Sequence, residues 1–397
     1  MPKMTDNRIV FIPEDRQAIE EQSPGITPES YATLFNAALS DGDTTRYFKF
    51  LEEIKEKDPD ILHSIETRTS YITSKEWTVV GEDDEDGKQS DEAKKIEEVL
   101  RGIEGDPKEG LMTIDELISS MLGDSYLVGL SFAEIVSDGE SITGFNHIPS
   151  HFLTFRSSVY YPKLWTQDNH EGVDFNQAKM ISHYLTSGID PARGWLGNGV
   201  SWQFVFKRTT LDQRLRFEKK YGKGFIQLNM PGERDSFIAD WSAAESLINN
   251  LDDVDGVVFG QGVEVDYNET MQADGEYFFD AEEKYKQDIT KIILGQGSTS
   301  DSQDSNRSTA DVHQEVLEKR ILDDSSAIED TLTNQLISKI KELEGISDDK
   351  QYEFRFVVSE LEATLDEDLN EEGGVDDGTA TATETVTTTE GETDGDV

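Results

Sequence analysis

KQDITKIILGQGSTSDSQDSNRSTADVHQEVL, residues 286–317, decides how this chain is read. On its N-terminal side Ala281, Tyr285, Ile289 and Ile292 recur every three or four residues and predict a helix ending near Gly295. On its C-terminal side Val312, Val316, Ile321, Ile328, Leu332, Leu336 and Ile340 follow the same period through a longer helix. Between them, GQGSTSDSQDSNRST at 295–309 holds no apolar residue. Composition alone favours a mobile surface loop. The sharper reading is a loop built to face something polar that moves past it. The Gly295-Gln296-Gly297 run ends a helix instead of following a strand, so it reads as a C-cap and not as a dinucleotide-binding turn.

Around this stretch lies a chain of 397 residues, long enough for two or three domains, with 35% hydrophobic residues for their cores. Its formal charge of −47 comes from 83 acidic and 36 basic residues, far beyond what solubility requires. Molar salt shortens the screening length to about 3 Å, which makes such a surface tolerable in brine and points to a halophilic host. The C-terminal tract does not account for the charge, because residues 360–397 supply only 14 of the acids. Cysteine is absent, excluding disulfides, thiolate metal sites and cysteine nucleophiles. No apolar run approaches the roughly 20 residues a membrane span needs. Met1 to Ser40 lacks the apolar core of a signal peptide, so a soluble chain, intracellular when made, with no membrane partner is expected. Residues 1–30 hold four prolines among polar residues, and 373–397 is a Gly/Thr/Glu/Asp tract; both ends are expected to be disordered.

The N-terminal part reads as α+β. DPDILHSIETRTSYIT, residues 58–73, predicts a helix with Ile61, Ile65 and Ile72 inside, followed by the strand KEWTVVG. EDDEDGKQSDE after it has a passing likeness to a calcium loop, but Ala93 stands where the bidentate acid belongs, so it reads as a solvated turn. Ala93, Ile96, Val99 and Leu100 mark another helix, and Thr113 with Glu116 forms a capping box for the one after. Ser131–Val136 and Ser141–Ile148 flank an Asp138-Gly139 turn signal and read as a hairpin, with strand-like segments again at 151–155 and 179–185.

GWLGNGVSWQFVFKRTTLDQRLRFEKKY at 194–221 predicts a long helix with unusual electrostatics. From Lys207 to Lys223 there are seven basic residues and two acidic, a local excess of five positive charges in an acidic chain. Lys207 and Arg208 open this basic stretch, and Arg216, Lys219, Lys220 and Lys223 share one helical face, suited to an acidic neighbouring subunit or to a phosphate backbone. The neighbour is the commoner use of such a stripe. Short strands at 224–229 and 257–265 then surround a small helix at 240–250.

Motifs for enzymatic chemistry are missing. There is no GxxxxGK[ST] phosphate loop and no GxSxG elbow, and Ser131 lies at an apolar strand entry. His147 and His151 are four apart, but Pro149 between them breaks the helix that a paired-histidine metal site needs. No catalytic residue, metal site or cofactor is assigned.

The order of elements resembles the portal protein family of tailed viruses, in particular the branch typified by the portal of phage Mu. The resemblance runs over most of 45–345 and lies in DPDILHSIETRTSYITSKEWTVV, LISSMLGDSYLVGLSFAEI leading to GFNHIPSHFLTF, RFEKKYGKGFIQLN, and KQDITKIILGQGSTS followed by STADVHQEVL. Each piece is weak alone; their order and spacing make the match specific. It implies an α+β portal-type fold and a ring, typically dodecameric, at one capsid vertex, with double-stranded DNA passing through it during packaging and ejection. The partners implied are further copies of the chain, the major capsid protein, a head-tail adaptor and the terminase motor, in the virion. The parts would be an N-terminal extension at 1–44, a wing at 45–193, a stem helix at 194–223, a clip at 224–279, a second stem helix at 280–294, a tunnel loop at 295–308, a long helix and crown at 309–359, and an acidic disordered tail at 360–397.

In that frame the loop guides DNA passively. Tight phosphate contacts would hold a duplex still, whereas Gln296, Ser298, Ser300, Ser302, Gln303 and Asn306 offer weak, water-mediated contacts, with Arg307 the one cation in the loop. Two alternatives stand beside it. One is an acidic, halophilic oligomeric structural or adaptor protein that does not conduct DNA; the other is an enzyme using carboxylates alone.

Overall fold

The computed structural model describes residues 26–82, 89–138, 141–157, 161–166, 168–175, 179–185, 190–221, 225–229, 264–268, 276–295, 307–347 and 349–357; for 191, 219–221, 225–229, 264–268 and 307–314 it describes the backbone alone. The N-terminal end of this range is already folded. Helix α1 (Pro28–Asp41) opens with a reciprocal cap between Thr27 and Ser30 and buries Tyr31 completely. The expected extension at 1–44 is therefore structured from Ile26 onward, because Tyr31 seats against Tyr47, Phe50 and Trp202 with ring centroids 4.8–6.4 Å apart. The expected disorder of residues 1–25 and 373–397 lies outside the described residues.

Helices α2 (Thr45–Lys57) and α3 (Pro59–Thr73) meet at Asp58, whose Oδ1 accepts the Asp60 and Ile61 amides at 3.0 and 3.2 Å while Pro59 occupies the first helical position. Ile61, Ile65 and Ile72 are all buried, as their spacing predicts. Strand β1 (Trp77–Gly81) and helix α4 (Asp91–Arg101) follow. Helix α5 (Ile114–Val128) begins at the Thr113–Glu116 capping box and buries Ile114, Leu117, Ile118, Met121, Leu122 and Tyr126, which makes it the core helix of this region. Gly129 then takes φ 90°, a left-handed cap that turns the chain directly into β2 (Leu130–Ser137).

β2 is the middle strand of an antiparallel sheet, between β3 (Ile142–Ile148) and β7 (Met180–Tyr184). The hairpin register places Ala133 opposite His147 on one side and Ile181 on the other. A smaller antiparallel sheet joins β4 (Leu153–Thr154), β5 (Lys163–Thr166) and β6 (Asn169–Val173). Helix α6 (Gly197–Tyr221) leaves this body, β8 (Phe225–Asn229) and β9 (Glu264–Asn268) pair antiparallel, and α7 (Glu276–Leu294) returns. The helix expected at 240–250 lies outside the described residues, as do residues 257–263 of the strand expected at 257–265, whose last two residues begin β9.

Helix α8 (Arg307–Thr331) continues through a π-helical turn (Leu332–Ile337) into α9 (Ser338–Glu344). Among its described side chains Leu317 and Ile321 are buried, while Val316, expected inside, is 40% exposed, and the side chain of Val312 lies outside the described ones. The C-terminal part of the expected crown is a strand, β10 (Tyr352–Phe356), which pairs antiparallel with β1, Trp77 opposite Phe356. The alternation YEFRF explains it: Tyr352, Phe354 and Phe356 face the core and Phe354 stacks on Trp77 at 5.0 Å. The π turn stitches the two sheets together. Gln335 accepts from the Ser182 amide and donates to the Ser182 carbonyl, both at 2.8 Å, pairing with β7 as another strand would. Thr333 Oγ1 accepts from the Phe354 amide at 2.9 Å, and Glu329 accepts from the Phe356 amide at 2.7 Å.

Candidate functional site: a paired-helix arm and an arginine clamp

Helices α6 and α7 run antiparallel as one arm. Gly199 lies beside Ile292, Phe206 lies 6.1 Å from Tyr285, and Phe217 lies 5.6 Å from Phe278, so heights along one helix map onto the other. Arg214 bridges the pair, donating to Glu282 at 2.7 Å and lying 4.6 Å over the Phe279 ring. At 1.5 Å per residue the 25 residues of α6 make it about 37 Å long. The arm is fixed to the body by Lys207, whose ammonium contacts Asp58 Oδ2 at 2.8 Å and Asp60 Oδ2 at 2.5 Å. Asp58 thus caps α3 with one oxygen and holds the arm with the other. Burial alone would lower the Lys207 pKa, but these two carboxylates outweigh it and raise the value.

The returning end of the arm is held by two arginines. Arg68, from the buried face of α3, makes a bidentate pair with Asp324 of α8 at 2.7 and 2.9 Å, and its third nitrogen donates to the Ile293 carbonyl at 2.7 Å. Its guanidinium also lies 4.4 Å over the Tyr126 ring. Arg320, one turn before Asp324, donates to the Ile292 and Ile293 carbonyls at 2.9 and 3.3 Å. Those carbonyls belong to the last turn of α7, where the helix leaves acceptors without intrahelical donors and where cations are favoured. Gly295 ends the helix at φ 84°, and a Cβ there would come within 2.8 Å of Arg320 Nε. The C-cap read at Gly295 is therefore present, and the end of α7 is fixed. Burial lowers the Arg320 pKa, with the positive charge of Arg68 adding to the effect.

Of the residues expected to act, Gln296, Ser298, Ser300, Ser302, Gln303 and Asn306 lie outside the described residues, and Arg307 is the first residue of α8, described by its backbone. On the basic helix, Lys207 is turned into Asp58 and Asp60, whereas Arg208 and Arg216 are exposed. Lys219 and Lys220 continue α6 in backbone, and Lys223 lies outside the described residues. The clamp escaped the sequence reading although it carried a signal. Arg68 interrupts the apolar series Ile61, Ile65, Ile72, and Asp324 interrupts Leu317, Ile321, Ile328, each at a buried position of its own helix. Opposite charges at two buried helical positions ask for each other.

The histidines considered as metal ligands each contact a carboxylate instead. His147 Nε2 lies 2.9 Å from Asp124 and 3.5 Å from Ser131 Oγ, and His151 Nδ1 lies 2.5 Å from Glu52. Because Ser131 and Asp124 share one ring nitrogen, this is not the arrangement of a nucleophilic triad, which uses both. Burial would raise the Asp124 carboxyl, but His147 and Lys55 hold it well below the usual carboxylate range. Among the described residues no helix is long and apolar enough to cross a membrane.

An α+β body carrying a two-helix arm, with a long helix starting past the polar segment, is a fold shared with chains of gene transfer agent particles. Chains in structures described as "Neck of empty GTA particle computed with C6 symmetry" and "Virion of native gene transfer agent (GTA) particle" are each 10% identical, with TM-scores of 0.52 and 0.50. They cover 83% and 89% of this chain, and 91% of theirs in both cases. An HK97-family phage portal protein from Corynebacterium diphtheriae is 15% identical over 78% of this chain and 94% of its own, with a TM-score of 0.44. No curated protein matches the sequence. The family described as portal protein of Mu bacteriophage matches residues 48–387, and this chain belongs to that family.

Proposed function

We propose that copies of this chain assemble into a closed ring at one vertex of a capsid and form the channel through which double-stranded DNA is packaged and ejected. The observation that carries this reading is the family match over residues 48–387, which spans both helices of the arm and the polar segment between α7 and α8. In this reading α6 and α7 are the stem, 224–279 the clip that receives a head-tail adaptor and the packaging motor, and 45–193 the wing that meets the capsid protein. The motor that hydrolyses nucleotide is a separate protein, and the ring is a structural part.

The clamp gives the polar segment its role. A segment that touches moving DNA must yield at its tip and hold at its root, and Arg68 and Arg320 supply the hold through the Ile292 and Ile293 carbonyls. Gln296, Ser298, Ser300, Ser302, Gln303, Asn306 and Arg307 then offer exchangeable contacts that do not trap phosphate. Deleting residues 298–305 tests this. Rings should still assemble, while packaging yield or genome retention falls; unchanged packaging and retention would overturn the assignment of the segment to the channel.

A further inference from the structure

The two helices of the arm carry opposite charge on faces turned away from each other. On α6, Phe206 and Phe217 lie on the side that meets α7, Arg208 lies on the far side and Arg216 on the flank beside it, both exposed. Among the described residues neither arginine has an ion-pair or hydrogen-bond partner. Asp212 lies between them, so their two charges leave this side net basic. On α7, Phe278 and Tyr285 meet α6, while Glu276, Asp280 and Glu283 follow at i, i+4 and i+7 on the far side, all exposed. Lys284 borders that stripe, and Lys286 approaches Glu283 only at 3.9 Å.

The heights agree. With Phe206 opposite Tyr285 and Phe217 opposite Phe278, Arg208 stands level with Glu283, and Arg216 level with Asp280, on opposite sides of one arm. Leu215, 51% exposed, and Tyr277, 72% exposed, add apolar surface at the lower level. A surface whose two sides differ and complement each other makes a heterologous contact, and repeating that contact by rotation closes a ring. Rotation about an axis parallel to the arm keeps heights unchanged, so basic and acidic positions meet in register.

We infer that α6 of one copy docks on α7 of the next, Arg208 facing Glu283 and Arg216 facing Asp280, with Leu215 and Tyr277 covered between them. This rests on the ring proposed above and names the surfaces that close it. Each exposed ion pair is weak alone, but the ring repeats it at every interface. It also sets the basic stretch of a −47 chain against acidic neighbours, where self-repulsion would otherwise oppose assembly.

The test is a charge swap with complementation. R208E/R216E and D280K/E283K are made separately, and ring content is measured by sedimentation and electron microscopy at the lowest salt in which wild-type rings persist. Each variant alone sets like charge against like and should lose rings by about tenfold or more. Mixed in equal amounts they should form alternating rings again, because each variant's altered face meets the other's altered face and each natural face meets a natural one. Rings from either variant at the wild-type level, or a mixture no better than its parts, would overturn the contact while leaving the ring reading intact. Normal assembly of R208E/R216E with loss of duplex cross-linking would assign that face to DNA and also overturn it. A wild-type chain that forms no ring removes both inferences.

Discussion

Arg68 and Asp324 stand 256 positions apart in the sequence and meet as a bidentate ion pair, both almost fully buried, directly behind the last turn of α7. Two charges have been taken out of water to fix one helix end, and the third nitrogen of Arg68 spends its donor on that end.

Removing one partner leaves the other charge buried without compensation. Asp324→Asn or Arg68→Met is expected to lower unfolding stability by about 3–5 kcal/mol, whereas the double replacement R68M/D324L should cost much less than the sum. Denaturant unfolding at fixed salt measures all of them. Strictly additive losses would show that the two residues act apart.

Gly295 offers a milder lever on the same root. An alanine there must adopt φ 84° and displaces the Arg320 guanidinium, so Gly295→Ala should cost about 1–2 kcal/mol or more, and Gly295→Asn less, because asparagine tolerates the left-handed region. The same unfolding series reads it, and equal stability of G295A and wild type would contradict the cap described above.

How much of this the sequence announces depends on the range of the interaction. Ile61, Ile65 and Ile72, the Thr113–Glu116 box, the 131–148 hairpin and the Gly295 cap are local patterns, and each lies where its spacing places it. What was missed is long-range. β10 joins β1 across most of the chain, so YEFRF carries a readable alternation but nothing that names its partner. Tyr31 is buried by residues as distant as Trp202, and a proline-rich start gave no hint of that helix. Lys207 looked like one more basic residue of a stripe until Asp58 and Asp60 proved to stand beside it. The polar segment itself is legible as composition, and its anchor required three helices to come together.

His183 makes stability depend on pH in a defined window. It is buried between β7 and α8 with Nδ1 2.9 Å from Thr331 Oγ1, and since that hydroxyl already donates to the Ala327 carbonyl, the imidazole donates and is held neutral. Burial depresses its pKa to about 4 from 6.5. The unfolded chain therefore takes up the proton first as pH falls, so this contribution is complete above about pH 6.5 and is lost progressively toward pH 4, amounting to about 3 kcal/mol. His183→Gln should flatten that part of the stability curve. Parallel curves for H183Q and wild type between those pH values would refute the assignment.

Gln335 tests the π turn. Its amide satisfies both the donor and the acceptor of Ser182, so Gln335→Ala should cost about 1–3 kcal/mol. Gln335→Glu should be worse than alanine, since a carboxylate faces the Ser182 carbonyl. Hydrogen exchange at the Ser182 amide provides a local readout: protection should fall in Q335A and remain in wild type.

Whether copies of this chain close into a ring is read from electron microscopy of the purified protein across a salt series. Closed rings of a single symmetry, with a central hole wide enough for duplex DNA, are expected to persist into molar salt. A monomer at every salt concentration, or an assembly without a central hole, would contradict the proposed ring.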